Sequence, residues 1–217
     1  GDEAFYGCSS LKSLTIPEST KSIGNFAFYD CSSLEEIVIN SPLNSIEDGV
    51  FESCVNLTVI SIPSSVTTIK SYAFKKCRSL LKIEIPPSVT TIGSYAFEDC
   101  LSLTEITIPP SVIEICQNAF HNCTSLIKVT IQSSIESIND SVFEGCTSLI
   151  HIEIPSSVSI IGNFAFHECN SIQSINIPSS VKSIGNYAFM QCYSLKQIEI
   201  PFSVIEIGSC VFNYCST

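Results

Sequence analysis

Basic residues are scarce in this chain. Ten lysines and arginines stand against 21 aspartates and glutamates, a formal net charge of −11. Affinity for nucleic acid or an anionic membrane rests on clustered lysine and arginine, so this balance excludes both classes of partner. The one basic cluster, Lys70, Lys75, Lys76, Arg78 and Lys82, is confined to a short stretch. Long apolar runs are missing as well. None approaches the ~18 residues that a membrane-spanning helix needs, although 45% of the chain is hydrophobic and the mean hydropathy is +0.35. Insertion into a bilayer by this segment is therefore not expected. The three histidines lack metal-ligand spacing, and the chain has no C-x-x-C pair, no glycine-rich phosphate loop and no recognisable carboxylate pair. Neither an enzyme, a metal site nor a cofactor is indicated.

Cysteine, by contrast, is present on a strict plan. Ten of the twelve fall at 8, 31, 54, 77, 100, 123, 146, 169, 192 and 215, every interval being 23 residues. A fixed period of this size marks a solenoid, in which each repeat buries its apolar face only against its neighbours. Phenylalanine keeps the same step three residues earlier, from Phe5 and Phe28 through to Phe189 and Phe212. Ala27, Phe28, Cys31 and Leu34 stand at i, i+1, i+4 and i+7, a spacing that predicts one face of a short helix. Six residues before the cysteine come Asp2, Asn25, Asp48, Ser71, Asp140, Asn163 and Asn186, which suit the N-cap of that helix. Gly24, Gly93, Gly162, Gly185 and Gly208, one position earlier, read as sites for positive φ.

Beyond the predicted helix the period changes to two. Ile83-Glu84-Ile85, Ile106-Thr107-Ile108 and Ile152-Glu153-Ile154 alternate as half-buried strands do. Prolines such as Pro86, Pro109 and Pro155 then stop the ladder, and pairs such as Val89 with Ile92 return the chain through the core. The expected fold is thus an α/β repeat: a parallel sheet on one side and short helices on the other. Helices are about 10 Å across and strands about 4.8 Å apart, so the sheet should curve and lie on the concave side. Residues 1–217 make one such solenoid of about nine repeats, read as a segment of a longer array.

The pattern L-x-x-I-x-I-P-x-x-V-x-x-I-G-x-x-A-F-x-x-C, met in full at Leu80, Ile83, Ile85, Pro86, Val89, Ile92, Gly93, Ala96, Phe97 and Cys100, resembles the BspA-like leucine-rich repeats of bacterial and protozoan surface proteins. The resemblance covers essentially the whole chain. It implies a leucine-rich-repeat solenoid that binds proteins without catalysis, an adhesin-type array at the cell surface or secreted, with a host or extracellular-matrix protein as partner. The alternative is a cytoplasmic scaffold whose ends self-associate. Repeat 31–53 departs from the pattern with Asn40 for proline and Glu47 for glycine, and repeat 123–145 with Gln132 and Asn139; weaker turns are expected there.

Two surfaces are candidates for binding, the first of which holds neither aromatic residues nor arginine and has a solubilising face as its alternative reading. On the concave face one column carries Lys82, Glu105, Lys128, His151 and Gln197, and the column beside it Glu84, Thr107, Thr130, Glu153, Asn176 and Glu199. Lys82, Glu105 and Lys128 alternate in sign at strand spacing, which predicts cross-strand ion pairs. A nucleophilic reading of Ser174 with His151 and Glu153 fails, because a flat sheet offers neither oxyanion hole nor pocket. The second surface is the flank, where Phe26, Tyr72, Tyr95, Phe164 and Tyr187 stand five residues before the ladder cysteine; the rings either pack against the start of the predicted helix or serve as anchors for a protein partner. The ladder cysteines themselves should stay as buried free thiols, since equivalent residues of stacked coils point the same way and hold their Cβ atoms too far apart for a disulfide.

Overall fold

A computed structural model describes residues 1–216. The chain winds as a stack of coils, each with one arc of tight turns and, after the first coil, two strands. The first strand of each coil is β1 (Ser13–Ile16), β2 (Glu36–Ile39), β4 (Val59–Ile60), β6 (Lys82–Ile83), β8 (Glu105–Ile108), β10 (Lys128–Ile131), β12 (His151–Ile152), β14 (Ser174–Asn176) and β16 (Gln197–Glu199). The second is β3 (Ser45–Ile46), β5 (Thr68–Ile69), β7 (Thr91–Ile92), β9 (Glu114–Ile115), β11 (Ser137–Ile138), β13 (Ile160–Ile161), β15 (Ser183–Ile184) and β17 (Glu206–Ile207). Every pairing is parallel and steps by one repeat, as in Lys128↔Glu105, Lys128↔His151 and Thr68↔Thr91. The first strands pair in three runs, β1-β2-β4-β6, β8-β10-β12 and β14-β16, which together make the first sheet face, and the return that the sequence marks only as an extended link makes a second, in the runs β3-β5-β7-β9 and β11-β13-β15-β17.

No helix occurs among the described residues. Where one was expected the chain makes a run of i→i−3 turns: Tyr29 N–H donates to Phe26 O (3.1 Å), Cys31 to Phe28 O (3.1 Å) and Leu34 to Cys31 O (2.9 Å). The intervening N–H groups leave the coil altogether, Phe26 to Asp48 O (2.8 Å), Phe28 to Val50 O (2.9 Å) and Asp30 to Glu52 O (2.9 Å). Left-handed φ is what breaks the helix. Every residue five before a ladder position and every residue one before it is left-handed, for example Phe26 (φ 52), Asp30 (φ 54), Tyr72 (φ 60) and Lys76 (φ 60). Such a conformation costs a non-glycine residue roughly 1–2 kcal/mol, and from Glu3 to Gln191 each one aims an N–H at the next coil. Without helices the outer side has no ~10 Å wedge, and the argument for strong curvature falls with it.

Two further readings change. The aspartates and asparagines expected as N-caps hydrogen-bond between coils instead: Asp2 Oδ1 accepts from Asn25 N–H (2.8 Å), Asp140 from Asn163 (2.7 Å), Asn163 from Asn186 (2.8 Å) and Asn186 from Ser209 (2.7 Å). Gly24, Gly93, Gly162, Gly185 and Gly208 have ordinary φ. Their role is close approach, since a Cβ on Gly93 would stand 2.5 Å from the Lys70 carbonyl carbon. In the two divergent repeats the loss of proline adds a bond: Asn40 N–H reaches Ile16 O (3.0 Å) and Gln132 N–H reaches Ile108 O (2.9 Å). Those coils lengthen the first ladder rather than weaken it.

The core lies between the two sheets and the arc. Phe5 to Phe212 form one continuous ring stack, with centroids 5.0–5.7 Å apart and planes within 1–18°. The ladder cysteines are free, and those from Cys31 to Cys192 are buried. Each thiol has a partner in the preceding coil, as when Cys54 Sγ donates to Phe28 O (3.1 Å) or Cys123 Sγ to Phe97 O (3.2 Å). Burial pushes the Cys31 thiol up to about 11 and the deeper thiols further still. A thiol that cannot ionise is neither a nucleophile nor a metal ligand.

Candidate functional site

The first sheet turns its odd positions outward, because side chains alternate across a strand. Lys82, Glu84, Glu105, Thr107, Lys128, His151, Glu153, Asn176, Gln197 and Glu199 are all exposed there, and Thr130 is half-buried. Register brings Lys128 between Glu105 and His151, Thr130 beside Thr107, and Asn176 beside Glu199. The expected ion pairs between Lys82, Glu105 and Lys128 do not form. Lys82 turns along its own coil to Glu84 at 3.5 Å, with the two side chains 62% and 86% exposed. At that exposure a pair contributes little, so the face stays electrostatically open. A shallow hollow of 440 Å³ runs over Lys82, Glu105 and Lys128, and a second of 490 Å³ over Lys128, Thr130, His151 and Glu153. Ser174 pairs with Gln197, and no hydrogen bond joins it to His151 among the described residues.

The flank aromatics are half-buried and occupy the left-handed position. Tyr72 stacks on Tyr95 at 5.2 Å and Phe164 on Tyr187 at 4.8 Å. Phe26 has no ring above it; its own ring lies over Gly49, where a Cβ would collide with it. Lys75 sits 5.3 Å from the centroids of both Tyr72 and Tyr95. These rings are more occupied with one another than the sequence suggests.

A third column escaped sequence reasoning. Two residues before each ladder cysteine come Glu52, Lys75, Glu98, His121, Glu144 and His167 in successive coils. Lys75 Nζ lies 2.6 Å from Glu98 Oε2, His121 Nδ1 3.3 Å from Glu98 Oε1, and His167 Nδ1 3.1 Å from Glu144 Oε1. Burial alone would raise the Glu98 carboxyl, but the hydrogen bonds from His121 and Lys75 outweigh it and hold it below its usual range. The signal was available as alternating charge at the 23-residue step. It carries meaning only once those positions are known to stack. No group of three or more metal-ligating side chains is assembled among the described residues.

Comparison with known proteins agrees with this geometry. A leucine-rich repeat protein from Bacteroides ovatus shares 33% identity over 100% of this chain and 61% of its own, with a TM-score of 0.79. One from Eubacterium ventriosum shares 28% over 96% of this chain and 60% of its own, at a TM-score of 0.78. A leucine rich cell surface protein from Faecalibacterium prausnitzii shares 29% over 92% of this chain and 75% of its own, at a TM-score of 0.53. The chain thus spans about three-fifths of the length of the first two. No curated protein matches it. A profile of the BspA type leucine rich repeat region matches residues 1–127 and 113–217, in six copies. The chain belongs to the BspA-type leucine-rich repeat family.

Proposed function

We propose that this solenoid is a non-enzymatic protein-binding array displayed at a cell surface or secreted, with an extracellular-matrix or host protein as its partner. One observation carries the reading. The outward face of the first sheet holds polar and charged side chains at fixed strand spacing on a rigid core, and it leaves them almost free of partners among themselves. Charged groups held in place but unpaired suit recognition, since they give register and specificity to an arriving surface. The similarity to a cell surface protein of Faecalibacterium prausnitzii supports the location. The test is binding of the chain to a panel of immobilised matrix proteins, together with surface biotinylation of intact source cells. Saturable binding that weakens in a Lys128→Ala, His151→Ala double variant is expected, with this chain among the labelled proteins. No binding at micromolar concentration, or labelling only after lysis, overturns the proposal. Loss of binding in Tyr72→Ala with the sheet variant unaffected would move the site to the flank.

A further inference from the structure

We propose that the column Glu52, Lys75, Glu98, His121, Glu144, His167 is an acid-tightened clasp, which binds the middle coils to one another more firmly in a mildly acidic medium than in an alkaline one. The column crosses six consecutive coils on the turn arc, apart from the outward columns of the first sheet. Its signs alternate, so no carboxylate has another directly above or below it. The contacts are short and sheltered: side chains from Lys75 to His167 are only 14–23% exposed.

His121 is the hinge of the argument. Glu98 contacts it from the preceding coil at 3.3 Å, and Asp99 of that coil and Glu144 of the following coil also face it. Lys75, the nearest cation, is committed to the other oxygen of Glu98 at 2.6 Å. Every charge bearing closely on the ring is thus negative. A neutral imidazole offers one N–H, which leaves Glu98 or Glu144 half-buried beside an uncharged neighbour. The imidazolium keeps its N–H on Glu98 and adds a positive charge in the fields of Glu144 and Asp99. His167 ties its coils by geometry alone: Nδ1 meets Glu144 Oε1 at 3.1 Å, and Nε2 meets the neutral Gln191 Oε1 at 2.7 Å with Glu168 Oε1 at 4.0 Å, so the pH dependence rests on His121.

The direction follows from linkage. The Glu98 hydrogen bond, followed by the fields of Glu144, Glu98 and Asp99, raises the His121 imidazolium above its ordinary 6.5 against the opposing effect of burial. A group raised on folding contributes stability that is complete below its unfolded value and disappears as pH climbs through its folded value. Each unit by which the folded midpoint stands above 6.5 makes the unfolding constant about tenfold smaller at the acid end.

The experiment is urea unfolding of the whole chain at pH 6.0 and pH 8.5, for the unmodified protein and for His121→Gln. Mild acid also relieves self-repulsion in a chain of net charge −11, so the variant provides the discriminating comparison. The expected result is a drop in the unfolding constant of the unmodified chain at pH 6.0 that is largely erased in the variant. An identical pH dependence in both proteins overturns the proposal. Should His121→Gln fail to fold, the His121 ring resonance of the unmodified chain is titrated by NMR. A midpoint above 6.5 supports the clasp, and one at or below 6.5 refutes it.

Discussion

Removing one ring from the middle of the phenylalanine stack should cost far more than removing one from its end. Phe97 is fully buried and lies between Phe74 at 5.3 Å and Phe120 at 5.2 Å, the latter within 1° of parallel. Phe97→Ala deletes the transfer energy of a whole ring and leaves a cavity that the coils above and below, tied by backbone bonds, cannot close; such losses run at about 3–5 kcal/mol. Phe97→Leu keeps most of the volume and forfeits two ring contacts of about 0.5–1.5 kcal/mol each, for a cost of roughly 1–3 kcal/mol. Phe5 is 37% exposed and has one stacking neighbour, Phe28 at 5.0 Å. Its replacement by alanine should therefore cost about 1–2 kcal/mol, within the range for incomplete burial of one side chain. The assay is urea unfolding followed by far-UV circular dichroism, with midpoints and slopes compared. Because each coil touches only its neighbours, Phe97→Ala should also broaden the transition as the two halves uncouple. A cost for Phe97→Ala within about 1 kcal/mol of that for Phe5→Ala, with unchanged slope, would show that the stack is not the spine of the fold.

Three other outcomes are expected of the same fold. Iodoacetamide at pH 8 should label the exposed Cys8 and Cys210 of the native protein while Cys54 to Cys192 on the ladder stay protected until denaturation; mass spectrometry showing Cys100 labelled as fast as Cys8 contradicts the buried thiol ladder. Lys76→Gly relieves a left-handed residue at φ 60 and should stabilise by about 1 kcal/mol, whereas Gly145→Ala, at φ 72 with Asn122 Oδ1 in the way, should destabilise by about 1–3 kcal/mol; urea midpoints that move in the same direction refute the backbone assignment. Asn186→Ala breaks its side-chain bond to Ser209 N–H (2.7 Å) and should cost about 1 kcal/mol, while Ser71→Ala, at the same repeat position but with no such bond among the described residues, should fall within about 0.5 kcal/mol of the parent. Equal costs in a melting comparison would restore the N-cap reading.

The core, the period and the first strand were legible because apolar residues at fixed step declare burial whatever the backbone does. Phe28, Cys31 and Leu34 were correctly placed inside while the element carrying them was misread. Over eight residues an i, i+1, i+4, i+7 pattern fits a run of turns as well as a helix, and the residues that rule out the helix are disguised. Its left-handed positions hold Gly7, Gly49 and Gly145, which betray them, but also Tyr72, Lys76, Glu168 and Gln191, which do not. Those residues are tolerated because each N–H finds a carbonyl in the next coil, a compensation invisible to any local window. The same blindness hid the Asp and Asn bonds, read as capping their own turn when they reach 23 residues along the chain, and the column from Glu52 to His167. In a stack of coils the physical neighbour of residue i is residue i±23. Polar residues in such a chain acquire their roles down the columns, and a row-wise reading assigns Asp140 to a helix that does not exist while passing over His121 and His167, whose rings meet carboxylates of the preceding coil.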